Sequence, residues 1–161
     1  MSTEILQNLD ANVIVPRVVQ GAYPKAYEKG GLSKLGYKHL VLAAEELQPK
    51  GYFQDVKVIY MPYDDSYKPL SPSQWLRLKA IGSSLSEAVK KGDQVLITCA
   101  MGWNRSGLIT ALTLAHLHPT ATGEQIVELI QRRRAGALSN EAFVERFVQW
   151  SAAKAQQRAK S

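Results

Sequence analysis

The sequence holds one cysteine and three histidines among 161 residues. A single cysteine excludes an internal disulfide and any metal site built on a cysteine cluster. It fits a reducing compartment, and once oxidised Cys99 has no resolving partner in the chain. No run of about 18 apolar residues is present, so no membrane span is expected. No charged-then-apolar leader opens the sequence, and a cytoplasmic location is expected. There are no internal repeats. His39 reads as a structural or surface residue, and His116 and His118 as structural residues near the end of an apolar helix.

What is present is the composition of an ordinary soluble protein, 45% hydrophobic, long enough for one domain with a sizeable core. A single domain over 1–161 is expected, with its core at about 13–150 and loosely ordered ends at 1–12 and 152–161. Twenty Lys and Arg against 14 Asp and Glu give a net charge of +6. That balance favours anionic partners, whether phosphorylated protein, phosphoinositide headgroups or RNA.

Residues 95–108, VLITCAMGWNRSGL, organise the rest. Val95, Leu96, Ile97 and Thr98 read as a buried strand ending at Cys99. Six residues later Arg105, Ser106 and Gly107 open an apolar helix. A loop entering a helix turns backbone N–H groups inward, and the helix dipole adds partial positive charge, so the stretch forms an anion nest. Gly102 lets the backbone approach an anion closely. Arg105 presents a planar two-pronged donor to phosphate oxygens. The same field stabilises a thiolate at Cys99, which lies beneath the anion as a nucleophile.

A second informative stretch is Pro62-Tyr63-Asp64-Asp65, a loop at the end of the apolar strand 56–61. Two adjacent acids lie there between prolines, with Tyr63, Tyr67 and Lys68 near a prospective substrate mouth. Residues 13–15, 18–19 and 39–43 read as further strands, with Pro16 arguing for an edge or bend. Gly30 and Gly31 weaken a short helix over 25–35, and 45–51 reads as a connection. Ser71 and Pro72 start a helix whose apolar face includes Trp75, Leu78, Ile81 and Leu85. The apolar helix 106–118 is expected to pass through the centre of the domain. Thr122 and Gln125 form a capping box for a helix over 123–134. Asn140 caps the last helix, with Phe143, Phe147 and Trp150 facing inward.

Cys99-Ala100-Met101-Gly102-Trp103-Asn104-Arg105-Ser106-Gly107 resembles the C-x5-R-[ST] signature loop of cysteine-dependent protein tyrosine phosphatases, dual-specificity branch. The likeness in element order extends over about 13–150. It includes the arginine, asparagine and phenylalanine pattern at Arg134, Asn140 and Phe143. One departure is Thr98, where the family usually has a histidine. The resemblance implies an α/β fold: a central mixed sheet of about five strands flanked by helices on both faces. It implies Cys99 as nucleophile, and Arg105 with loop residues Ala100, Met101, Gly102, Trp103 and Asn104 as the phosphate cradle. Asp65 is the implied general acid, with Asp64 as the alternative, and Ser106 supports the sulfur as leaving group. The nest and Arg105 supply the positive charge, so neither metal nor cofactor is called for.

The activity implied is hydrolysis of phosphotyrosine, with phosphoserine or phosphothreonine as further substrates, through a phosphocysteine. Two alternatives stand beside it. One is a phosphatase of a non-protein substrate, RNA 5′-triphosphate or phosphoinositide, since Asn104-Arg105 resembles metal-independent RNA triphosphatases. The other is an inactive phosphate-binding module, for which Thr98 is the support.

Overall fold

The structure is a computed structural model that describes residues 9–160. Five strands form one sheet in the order β1-β2-β5-β3-β4. They are β1 (Ala11–Val15), β2 (Val18–Ala22), β3 (Tyr37–Ala44), β4 (Lys57–Tyr63) and β5 (Gln94–Cys99). Only β1 and β2 pair antiparallel; β2, β5, β3 and β4 run parallel to one another. Among the described residues, four α-helices complete the fold: α1 (Pro72–Lys90), α2 (Arg105–Leu117), α3 (Gly123–Arg133) and α4 (Glu141–Lys160).

The alternation of side chains along each strand divides the core in two. Val95, Ile97, Cys99, Val41 and Ala43 face the α-helices, packing with Leu78, Leu85, Leu108, Leu112 and Phe147. Leu96, Leu40, Leu42 and Val19 face the other side, against Tyr27, Leu32, Leu35 and Phe53. Both faces are covered, but unequally. The α-helices gather on one, while the other carries two single-turn 3-10 helices, Lys25–Tyr27 and Ser33–Leu35. Gly30 and Gly31, both at positive φ, separate those turns and prevent a continuous helix over 25–35.

α2 crosses the centre: every residue from Arg105 to Leu114 is buried. The expected capping box of Thr122 and Gln125 opens α3, and Ser71, expected to start α1, forms a second box with Gln74. β4 reaches two residues beyond the strand expected at 56–61. Pro62 is tolerated there because β4 is a sheet edge. From 152, where a loosely ordered end is expected, α4 continues through Lys160. The alanines and long polar side chains of this segment (AAKAQQRAK) are strong helix formers, so the helix propagates past its last buried residue, Phe147. The loose end expected over 1–12 falls largely on residues outside the description, while Ala11 and Asn12 already pair with β2.

The parallel sheet positions the site. Loops leaving the carboxyl ends of β2, β3, β4 and β5 converge on one edge, where open α/β sheets gather their ligands. They bring, respectively, Tyr23, Glu46, Asp65 and the loop after Cys99.

Candidate active site

Cys99 is the last residue of β5, 4% exposed, with its Sγ 3.2 Å from Ser106 Oγ. From there the chain makes a tight loop whose carbonyls all point into the scaffold. Ala100 O accepts from Tyr23 N at 3.4 Å, and Met101 O from Arg134 Nη2 at 2.9 Å. Gly102 O accepts from Arg134 Nε and Gln20 Nε2, and Trp103 O from Leu138 N. In a trans peptide the C=O and the following N–H point in opposite directions. Four carbonyls held outward therefore turn the N–H groups of Met101, Gly102, Trp103 and Asn104 toward the concave side, over Cys99. The nest expected from the spacing is thus enforced by specific donors, chief among them the buried guanidinium of Arg134, anchored in turn by Asp10 and Asn12.

Gly102 has φ +76°, and a Cβ placed there would collide with the backbone carbonyl of Gly21. The loop folds only because two glycine backbones pass each other here. Gly102→Ala is expected to cost at least about 2 kcal/mol from the left-handed backbone alone, before the clash is counted. A urea melt of the variant measures this.

Arg105 is buried, yet it is held by a residue that the sequence placed in a mere connection. Glu46 receives Nη1 at 2.6 Å and Nη2 at 2.9 Å, and Nη1 also reaches Tyr63 O at 3.2 Å. Arg105 Nε is buried with no partner. Two of the three guanidinium nitrogens therefore fix the plane, and the N–H of the third is left unpaired. The Arg105 hydrogen bonds hold the Glu46 carboxyl down to about 2, from an ordinary 4.5, and Glu46 in turn raises Arg105. Because the folded value is depressed, the pair stabilises fully above about pH 4.5 and loses its contribution as pH falls toward 2. Glu46→Gln is expected to flatten that acid limb in denaturant melts taken across pH. It is also expected to lower kcat/KM on an aryl phosphate by about 10- to 100-fold, since a freed Arg105 loses its set angle. No motif flags Glu46; it is recognisable only once β3 and α2 are side by side.

The structure brings Asp65 to the loop and leaves Asp64 out. Asp65 Oδ2 accepts from Asn104 Nδ2 at 3.0 Å, and Oδ1 from Asn140 Nδ2 at 2.8 Å. Asp64 is exposed. Asn104 thus directs its side chain at Asp65, Ser139 and the Asn140 backbone rather than at the cradle. Asn140 also caps α4, accepting from the amides of Ala142 and Phe143.

Of the remaining loop residues, Met101 and Trp103 are 53% and 39% exposed and form a rim. Tyr63, expected near the mouth, is instead 1% exposed beneath it. Its hydroxyl donates to Arg105 O at 2.5 Å, and its ring packs on Phe143. Burial, with Cys99 close by, pushes its phenol well above the usual range, so it stays a donor. Tyr67, by contrast, is exposed as expected. Thr98, in place of the usual histidine, is fully buried and donates to Val41 O at 2.7 Å, tying β5 to β3 immediately before the cysteine.

These features coincide with a known architecture. No protein-family model matches the sequence, and no curated relative is found. Solved structures do match. Human DUSP28 superposes with a TM-score of 0.72 at 18% identity, over 86% of this chain and 93% of that one. DUSP15 gives 0.74 at 20% identity over 94% of both chains, and Tk-PTP in its active form 0.69 at 22% over 84% and 92%. The chain has the dual-specificity phosphatase fold. Among the described residues, no helix is long and apolar enough to cross a membrane.

Proposed function

We propose that the protein is a cysteine-dependent phosphatase that hydrolyses phosphomonoesters, phosphotyrosine first among them. The observation that carries this reading is the signature loop itself. Its carbonyls are tied outward, its amides face inward over Cys99, and Arg105 Nε is buried without a partner.

In the first step the Cys99 thiolate attacks phosphorus, forming an S–P bond as the ester P–O bond breaks. The inward amides and Arg105 hold the non-bridging oxygens as charge develops on them. Asp65 gives its proton to the departing oxygen. In the second step water attacks the phosphocysteine, and Asp65, now ionised, takes a proton from that water. The electron pair of the S–P bond returns to Cys99, where the hydroxyl of Ser106 supports the sulfur. Phosphate and the free thiolate result. The exposed rim of Met101 and Trp103 offers apolar surface to an aromatic leaving group, which favours phosphotyrosine.

The test is hydrolysis of p-nitrophenyl phosphate across pH in the presence of a chelator. A bell-shaped profile is expected, because the first step needs an ionised thiol and a protonated acid together. A rate still rising above about pH 8 would exclude an aspartate as the acid. No turnover at any pH, with retained binding of inorganic phosphate, would move the assignment to a phosphate-binding module.

A further inference from the structure

Along the outer seam between α1 and α4 the molecule carries a second concentration of positive charge. There α1 and α4 meet through Trp75 and Trp150, packed edge to face with centroids 6.2 Å apart. The cations around them rest on ring faces. The Arg146 guanidinium is 4.3 Å and Lys79 Nζ 5.9 Å from the Trp75 centroid, and Lys154 Nζ is 4.9 Å from that of Trp150. The His116 ring lies 6.1 Å from Trp150.

Beside this cluster opens a cleft of about 560 Å³. Leu76, Ala80 and Trp150 form its apolar floor, Lys79, Lys154 and His116 its rim, and no acidic residue lines it. Among the described residues, Lys79, Arg146 and Lys154 make no ion pair with a carboxylate. The one acid felt by His116 is Glu87, which is paired with Lys90. The cations also crowd one another. Burial, Arg158 and Lys79 lower the Lys154 ammonium below its usual range, and burial, Lys154 and Lys90 do the same to His116. An anion seated between them would relieve that repulsion.

The occupant needs negative charge for the rim and an apolar side chain for the floor, where Leu76 is 66% exposed. A single-stranded nucleic acid binds such aromatics by stacking, but here cations already lie against both indoles. A groove between two helices, apolar below and cationic above, matches an amphipathic helix with acidic residues on its flank. We propose that the α1–α4 cleft docks an acidic amphipathic segment of a partner protein, at a surface separate from the signature loop.

The test uses the full chain and intrinsic tryptophan fluorescence, since Trp75 and Trp150 are two of its three tryptophans. The probe is a synthetic amphipathic helical peptide with leucine on one face and glutamate on the other. Its lysine-for-glutamate counterpart, a homopolymeric RNA oligonucleotide and phosphatidylcholine vesicles doped with phosphatidylserine are titrated in parallel. Saturable one-to-one binding of the acidic peptide is expected. Lys79→Glu with Lys154→Glu should weaken it at least tenfold, the loss of two ion pairs worth about 0.7 kcal/mol each. Aryl phosphate hydrolysis should be unchanged. The milder Lys79→Gln with Lys154→Gln, checked by thermal melting, separates lost docking from lost folding. Absence of saturable peptide binding, binding indifferent to both double variants, or RNA or vesicles bound in preference to the peptide would each overturn the proposal.

Discussion

Cys99→Ser is expected to leave the fold intact and to lower turnover of p-nitrophenyl phosphate by about four orders of magnitude or more. The reason is local. Sγ sits 4% exposed at the end of β5, 3.2 Å from Ser106 Oγ. A serine Oγ fits that space and can keep a hydrogen bond to Ser106, so unfolding curves for the two proteins should overlay. A hydroxyl, however, stays protonated where a thiol ionises, and with no base beside it the alkoxide is not formed. Binding should survive, because Arg105 and the inward amides are untouched. Titration with inorganic phosphate should therefore give similar affinities for the two proteins. Retained turnover in the variant would mean that the phosphoryl group goes to another acceptor, and the S–P step proposed above would have to be abandoned.

How far the sequence reached can be judged from particular residues. The strand, loop and helix around Cys99 were legible because their signals are contiguous: an apolar β-branched run, a glycine that must approach backbone, an arginine at a helix start. The capping box at Thr122 and the cap at Ser71 were legible for the same reason, since the signals lie within one turn. Glu46 was not, because its role depends on β3 delivering it beside an arginine 59 residues away. Arg134 and Asn140 could be noticed only through a resemblance in pattern. What they do became visible only when 134–140 was seen to lie against the loop, with Arg134 pulling on Met101 O and Gly102 O. Tyr63 was misplaced at the mouth because β4 runs on through Pro62, which turns the ring inward. The tail from 152 was expected as a loose end because its polar, alanine-rich stretch has no apolar face to give it a period.

The choice between two adjacent acids was set by a count of residues, and it carries the other large effect. Asp65→Asn is expected to lower kcat by about 100- to 1,000-fold, the range of a positioned general acid, and Asp64→Asn to change it by less than about twofold. The loss at Asp65 should be larger for phenyl phosphate than for p-nitrophenyl phosphate, because the poorer leaving group depends more on a proton. The fall in rate on the alkaline side of the optimum should disappear with it. A carboxamide at 65 also disturbs the clamp, since one of its two ends must present N–H to an amide that itself donates. Asn140→Asp separates the two effects. It keeps the oxygen that caps α4 through Ala142 and Phe143, but opposes Asp65 with a second carboxylate in place of a donor. If the clamp serves to aim the acid, this variant should lose about tenfold in kcat with KM little changed, and the loss should be greatest on phenyl phosphate. If Asp65 is only a turn former held by two asparagines, both variants should lose stability in a melt, and the leaving-group dependence of kcat should match that of the unmodified protein.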